Sequence, residues 1–333
     1  MLILELLKAL LIAIVEGITE WLPISSTGHM IIVESFISLN VSPEFWSMFL
    51  VVIQLGAIMA VIVLYFHRLN PFSLHKAQVQ SRGTLRLWDK IIHFCSSLTL
   101  RRGILRLWAK VIVACIPAAV IGILFDDWFE EHFFNPVTVA IALVVYGIAF
   151  IVIERLKARG KVFNWPWKPH VQGAHARVEP AAASRAARFI KPDTITNTDD
   201  LSFVRALGVG LFQCLAIVPG TSRSGSTILG GRILGISRET AAEFSFFLAI
   251  PVMFGWSFLK LVKTFVLDSI TLTSTEWAVF VVGIIAAFLV SLVAIKFLMN
   301  YIKNHSFEVF GWYRIALGVV VLAFFLFSGQ LMA

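Results

Sequence analysis

Apolar residues fall along this chain in long stretches, and two of the stretches are broken in the middle. Residues 45–66, 111–125, 137–153, 241–261, 277–298 and 309–327 are runs that predict six membrane-crossing helices, near the ~20 residues that a crossing takes. Residues 2–39 are interrupted at Pro23 to Gly28, and residues 201–236 at Pro219 to Gly225. Proline ends or kinks a helix, so each of these stretches predicts two short helices that enter the membrane and turn back. The two breaks occupy corresponding places in the two halves. VEGITEWLPISSTGH matches LFQCLAIVPGTSRSG in outline, and Trp46 to Leu50 matches Phe244 to Leu248 at nearly the same offset. Broken helices in such positions point to an inverted repeat with its site near the bilayer midplane. The expected fold is therefore an all-α polytopic membrane protein, an inverted-topology repeat with two re-entrant pairs and about six full spans. Residues 1–154 form the first repeat, with an insertion at 67–110, and residues 201–333 form the second. Residues 155–200 read as a flexible linker.

Composition agrees. The chain is 58% hydrophobic and 14% charged, where soluble domains average about 45–50% and 25%. The net charge of +8 is concentrated: residues 67–110 hold nine Lys/Arg and one acid, and residues 155–205 hold ten and four. The connection Asp126-Asp127-Trp128-Phe129-Glu130-Glu131 holds none. The positive-inside rule then puts the basic loops in the cytoplasm and the acidic connection outside. No recognition module accompanies the basic charge, which excludes nucleic acid as its partner. Arg82 to Lys90 recurs as Arg102 to Lys110, a local duplication whose copies are expected to lie on the inner membrane face. Cys95, Cys115 and Cys214 have no metal-ligand spacing and read as buried side chains.

Chemistry concentrates at the breaks. Glu16 and Glu20 share a helix face, and Ser25, Ser26 or Thr27 can cap the helix that follows. Gly28 allows a ligand close to the backbone, and the free N–H groups of a helix start suit phosphate. Two carboxylates that close need a cation, a proton or an arginine. The second break, Pro219 to Thr227, offers Arg223 among Thr221, Ser222, Ser224, Gly225, Ser226 and Thr227. A guanidinium fork matches phosphate. Hydroxyls, His29, an arginine, two carboxylates and two half-helix N-termini together suit phosphoryl transfer on a membrane-embedded substrate. Glu243 reads equally as a site residue or a partner of Arg232 or Arg238, and Gln54 as a donor behind the site or an inter-helix bond.

EGITEWLPISSTGHM and PGTSRSGST closely resemble the signature motifs of the undecaprenyl-pyrophosphate phosphatase family, also called bacitracin-resistance proteins. Val52 to Ile58, Ile116 to Phe125 and Glu243 to Pro251 resemble it too, while about 72–105 and 158–198 look like additions. The resemblance implies hydrolysis of undecaprenyl pyrophosphate to undecaprenyl phosphate and phosphate, recycling the lipid carrier of the cell wall. It implies a bacterial inner-membrane protein whose site opens to the periplasm. It makes Ser26, His29, Glu20 and Arg223 the catalytic set. Ser26 would be the nucleophile, with Ser25 orienting it and His29 as base or as acid to the leaving phosphate. His29 or a directly attacking water stay open as alternatives. Glu16 and Glu20 would hold Mg²⁺ or Ca²⁺. Ser25, Thr27, Gly28, Thr221, Ser222, Ser224, Gly225, Ser226 and Thr227 would contact or support phosphate. The implied partners are a polyprenyl pyrophosphate and membrane lipids, with a homodimer as the assembly to test for. A lipid-phosphate transporter is the rival function, because inverted repeats with broken helices are also transporter architecture. The phosphatidic-acid phosphatase superfamily has similar Ser-Gly-His and Ser-Arg elements, but its basic first motif and later His-Asp are missing here.

Overall fold

The computed structural model describes residues 2–74, 98–158 and 194–328. Helices α1 (Leu2–Thr19) and α2 (Ser26–Phe36) form the first broken pair and lead into α3 (Pro43–Leu64). A single turn, α4 (Phe66–Leu69), precedes strands β1 (Phe72–Leu74) and β2 (Leu98–Leu100). Then follow α5 (Arg102–Phe133) and α6 (Pro136–Ala158). The second half repeats the order: α7 (Phe203–Cys214), α8 (Arg223–Ile233), α9 (Arg238–Val262), α10 (Ser274–Asn304) and α11 (Glu308–Phe327). Six of these, α3, α5, α6, α9, α10 and α11, are long and apolar enough to cross a membrane.

Local chemistry sets the helix starts. Ser42 caps α3 through its side chain, and Pro43 takes the first helical position, where a missing N–H costs nothing. Thr273 and Glu276 close a reciprocal capping box on α10. The packing partners exchange when the halves are exchanged. Helix α1 lies on α10 as α7 lies on α5, α3 touches α10 as α9 touches α5, and α3 meets α9 as α6 meets α11. The α6–α11 contact is a close seam on both sides. A Cβ on Gly147 would stand 2.6 Å from the Gly311 carbonyl, and one on Gly311 would stand 2.7 Å from that of Gly147. Without side chains there, two backbones approach closely, which is how helices associate where lipid removes the hydrophobic drive. The core lies beneath the broken pairs, where buried Trp21 meets Phe246 edge-on at 5.3 Å.

The membrane body is all-α as expected, and β1 and β2 add a short antiparallel ladder pairing Phe72 with Leu100 and Leu74 with Leu98. Three expectations need correction. The span placed at 111–125 is the middle of α5, which extends through both flanks. Arg102 to Lys110 is thus not a separate surface segment. Leu107 and Lys110 are buried, the Trp108 indole donates to the Leu69 carbonyl at 2.9 Å, and Lys110 Nζ donates to the Asp199 carbonyl at 2.7 Å. The acidic connection at 126–131 is likewise the last part of this helix. The first copy, Arg82 to Lys90, lies outside the described residues. The linker placed at 155–200 is ordered at both described ends. Residues 155–158 finish α6, and Ile195 bridges Ile236 while buried Thr198 accepts from Arg68 at 2.9 Å. Glu243 pairs with Arg68, not with Arg232 or Arg238. Those two arginines both bind Glu154 at the end of α6, Arg232 at 2.9 Å in a fully buried pair.

Candidate active site

The two breaks have one backbone design. Ser25 caps α2 with its Oγ accepting the Gly28 N–H at 3.2 Å, and Ser222 caps α8 with its Oγ accepting the Gly225 N–H at 3.1 Å. Both caps lie in the left-handed region, with φ of 74° and 70°. That conformation is rare without glycine and persists only where the surroundings enforce it. Gly220, at φ 87°, precedes the second cap, and a Cβ there would stand 2.6 Å from the Val139 carbonyl.

Each cap sets the residue after it at the first helical position, and those residues meet over one carboxylate. Ser26 Oγ donates to Glu20 Oε2 at 2.9 Å, and Arg223 Nη2 donates to Glu20 Oε1 at 2.9 Å. Arg223 also donates to the Ser245 carbonyl at 3.1 Å, and its guanidinium carbon lies 6.0 Å from the Trp21 ring centre. Its Nε has no hydrogen-bond partner among the described residues. A cavity of about 190 Å³ opens here, and its polar lining is Glu20, Ser26, Thr27, Gln54, Ser222 and Arg223. Its apolar lining includes Ala216, Val218, Val252, Met253 and Trp256. A larger cavity, about 700 Å³ between Asn40–Glu44 and Asp268–Glu276, contains none of the motif residues.

The remaining expected residues divide by role. Thr27 lines the cavity and Gly28 is buried behind it. Ser25 is a cap and does not face Ser26. Ser224 donates to the Glu20 carbonyl at 3.0 Å, Ser226 to Tyr146 Oη at 3.2 Å, and Thr227 shares a hydrogen with Ser245 Oγ at 2.6 Å. With Gly225 and Thr221, these are buried supports of the turn and not cavity walls. His29 departs furthest from expectation. Its Nδ1 lies 2.6 Å from the Ser25 carbonyl, an acceptor, so Nδ1 carries the hydrogen. Its Nε2 then accepts from Tyr313 Oη at 2.7 Å. Both ring nitrogens are engaged away from Ser26, so His29 is not the base beside it in this structure.

Glu16 is buried near Glu20, faces Gln54, and keeps one carboxylate oxygen without a hydrogen-bond partner among the described residues. Magnesium is commonly held by one or two carboxylates with phosphate oxygens completing its shell. Glu16 and Glu20 fit that donor set. No group of three His, Cys, Asp or Glu converges among the described residues, so the protein supplies only part of such a shell.

Sequence reading missed Arg314, Tyr313 and Tyr146. Arg314 is fully buried and donates to the carbonyls of Pro23, Gly220 and Thr221. A charged residue within an apolar span was the available signal.

Two broken helices that meet inside a bundle of six crossing helices, with a carboxylate, a hydroxyl and a guanidinium at their junction, define a multi-pass membrane protein with a polar site built from both halves. The chain belongs to the bacitracin resistance protein BacA family, whose model matches residues 9–320. It is similar to the undecaprenyl-diphosphatase of Enterococcus faecalis, 49% identical over 98% of this chain and 100% of that one. It is also similar to that of Streptococcus thermophilus, 49% identical over 96% and 93%, and to undecaprenyl-diphosphatase 1 of Clostridioides difficile, 47% identical over 97% of each.

Proposed function

We propose that this protein hydrolyses undecaprenyl diphosphate to undecaprenyl phosphate and inorganic phosphate, which recycles the lipid carrier and confers bacitracin resistance. Family membership and the relatives' shared name support the activity. The observation that carries the mechanism is the double engagement of Glu20 by Ser26 and Arg223.

In this reading Ser26 Oγ attacks the terminal phosphorus and its proton passes to Glu20. The bond to the bridging oxygen breaks, and undecaprenyl phosphate leaves with that oxygen and the bonding pair. Glu20 hands that proton to the departing phosphate, and the freed carboxylate then deprotonates a water that attacks the phosphoserine. Ser26 Oγ leaves with its bonding pair, takes the proton back from Glu20, and inorganic phosphate is released. Arg223 offers its fork to the developing charge, and a fixed donor of this kind is worth about 100-fold or more in rate. Ser222 and Thr27 bound the diphosphate end of the cavity. Val252, Met253 and Trp256 would meet the prenyl end, and Trp256 is half exposed. A lining of both polar and apolar residues suits an amphiphilic substrate. When bound, a divalent cation at Glu16 and Glu20 would neutralise phosphate charge.

The inverted orientation of the halves, the plasma membrane of a bacterium, cytoplasmic basic loops and a site open to the periplasm belong to the same proposal. Loop charge supports the sidedness. Purified protein in detergent, given undecaprenyl diphosphate, is expected to release inorganic phosphate. Binding or movement of the intact lipid across vesicles without phosphate release would favour the transporter instead.

A further inference from the structure

Arg314 is a buried cation that the proposed reaction does not use. Among the described residues it has no carboxylate partner. Nη1 donates to the Pro23 carbonyl at 3.3 Å, and Nη2 donates to the carbonyls of Gly220 and Thr221 at 2.9 and 3.0 Å. Its guanidinium carbon lies 5.4 Å from the Tyr146 ring centre. A charge at this depth is costly, and three carbonyls with one ring face are a minimal set to hold it.

The placement of those carbonyls is specific. Pro23 is two residues before Ser25, and Gly220 and Thr221 are the two residues before Ser222. Ser25 and Ser222 are the strained caps, and a left-handed non-glycine residue persists only where its surroundings hold it. The residues released by that strain would be Ser26 and Arg223, each directly after its cap. The cap hydrogen bonds tie each turn to its own helix, whereas Arg314 ties the turns to each other. A trans peptide points its C=O and N–H in opposite directions. Holding the Thr221 carbonyl on Arg314 therefore turns the Ser222 N–H away from it, and Ser222 lines the cavity.

We propose that Arg314 is a positioning residue that clamps both left-handed turns at once, fixing Ser26 and Arg223 over Glu20 and aiming the Ser222 N–H at phosphate. A planar fork can serve carbonyls from two turns, whereas a lysine offers one compact ammonium.

The test compares full-length Arg314→Gln and Arg314→Lys with wild type in detergent. Hydrogen exchange is followed in peptides covering 16–30 and 216–228 and in peptides from α3 and α10. Exchange in both turns is expected to rise about tenfold or more with the spans unchanged, as a local opening requires. The kcat for phosphate release is expected to fall about 100-fold in Arg314→Gln, the scale of a 1 Å misplacement, with KM within about threefold and Arg314→Lys between. Loosening of one turn alone, equal loosening of every helix, or an unchanged kcat with both turns loosened would overturn the proposal. If the glutamine variant does not fold, the lysine variant is read alone: faster exchange in both turns supports the clamp, and wild-type exchange in both overturns it. Only the activity arm rests on the proposed hydrolysis. A failure of that reading appears as absent phosphate release in wild type and leaves the exchange arm intact.

Discussion

The two broken helices share a frame and differ in what they carry. Each has a left-handed serine cap whose Oγ accepts from a glycine N–H three residues on. Counted from the caps, Ser26 falls opposite Arg223, Glu20 opposite Ile217, and Glu16 opposite Gln213. The first turn has thus collected acids and a hydroxyl, and the second a cation. The difference teaches how a repeated backbone can form one asymmetric site. The halves supply complementary charges, and Glu20 joins them because it can accept from both at once. A similar contrast covers the cavity wall, where Gln54 is polar on α3 while Val252 and Met253 are apolar on α9.

The sharpest way to break this comparison is to remove one charge from either turn. Glu20→Gln and Arg223→Ala are each expected to lower kcat/KM for phosphate release at least ~100-fold, the cost of losing a preorganised charge. Equal activity in folded Arg223→Ala would mean that the second turn contributes no chemistry. Next comes the serine pair. Ser26→Ala is expected to abolish turnover to a similar degree. Ser25→Ala removes only a cap, about 1 kcal/mol, and is expected to cost about tenfold or less. Steady-state rates of the two variants, side by side, decide it; the reverse ranking would reassign the nucleophile.

His29 shows where sequence reading ran out. The family resemblance implied a base beside a nucleophile, but side-chain direction depends on the turn. Ser26 begins the helix facing Glu20, while His29 reaches back to the Ser25 carbonyl and out to Tyr313. The six spans and both breaks were legible, because apolar run length and proline act locally. The partners of Glu243 and Glu154 were not, because Arg68, Arg232 and Arg238 approach them only through the tertiary fold. The burial of Lys110 was hidden by its charge, which is satisfied by backbone carbonyls at Thr198 and Asp199. Arg314 was visible as a charge in a span, but which turns it touches was not.

A smaller effect should follow from the histidine. His29→Gln is expected to lower kcat about tenfold, the equivalent of one modest positioning bond at 1.4 kcal/mol per decade. Loss as large as that of Ser26→Ala, with phosphate trapped on His29 in the wild type, would restore it as the nucleophile. The smallest contrast is between the opposed residues Glu16 and Gln213. Glu16→Gln is expected to raise the Mg²⁺ concentration for half-maximal activity about tenfold, at the low end for losing a group that supports a metal. Gln213 is buried, and neither amide atom is hydrogen-bonded among the described residues. Exchanging a buried polar group for an apolar one of similar shape can be neutral or stabilising. Gln213→Leu should therefore change activity less than about twofold and leave the thermal midpoint equal or higher. A marked loss of activity would give the second turn a polar role that its present contacts lack.

The claim that the two turns make one site is tested most directly by a double-mutant cycle on phosphate release, using Glu20→Gln, Arg223→Gln and the combination in folded protein. Groups that act as a unit are non-additive. The double variant is expected to be no slower than about the slower single variant, because either change already dismantles the pair. Losses that multiply across the two positions would mean that Glu20 and Arg223 act independently, and that the halves do not complete each other.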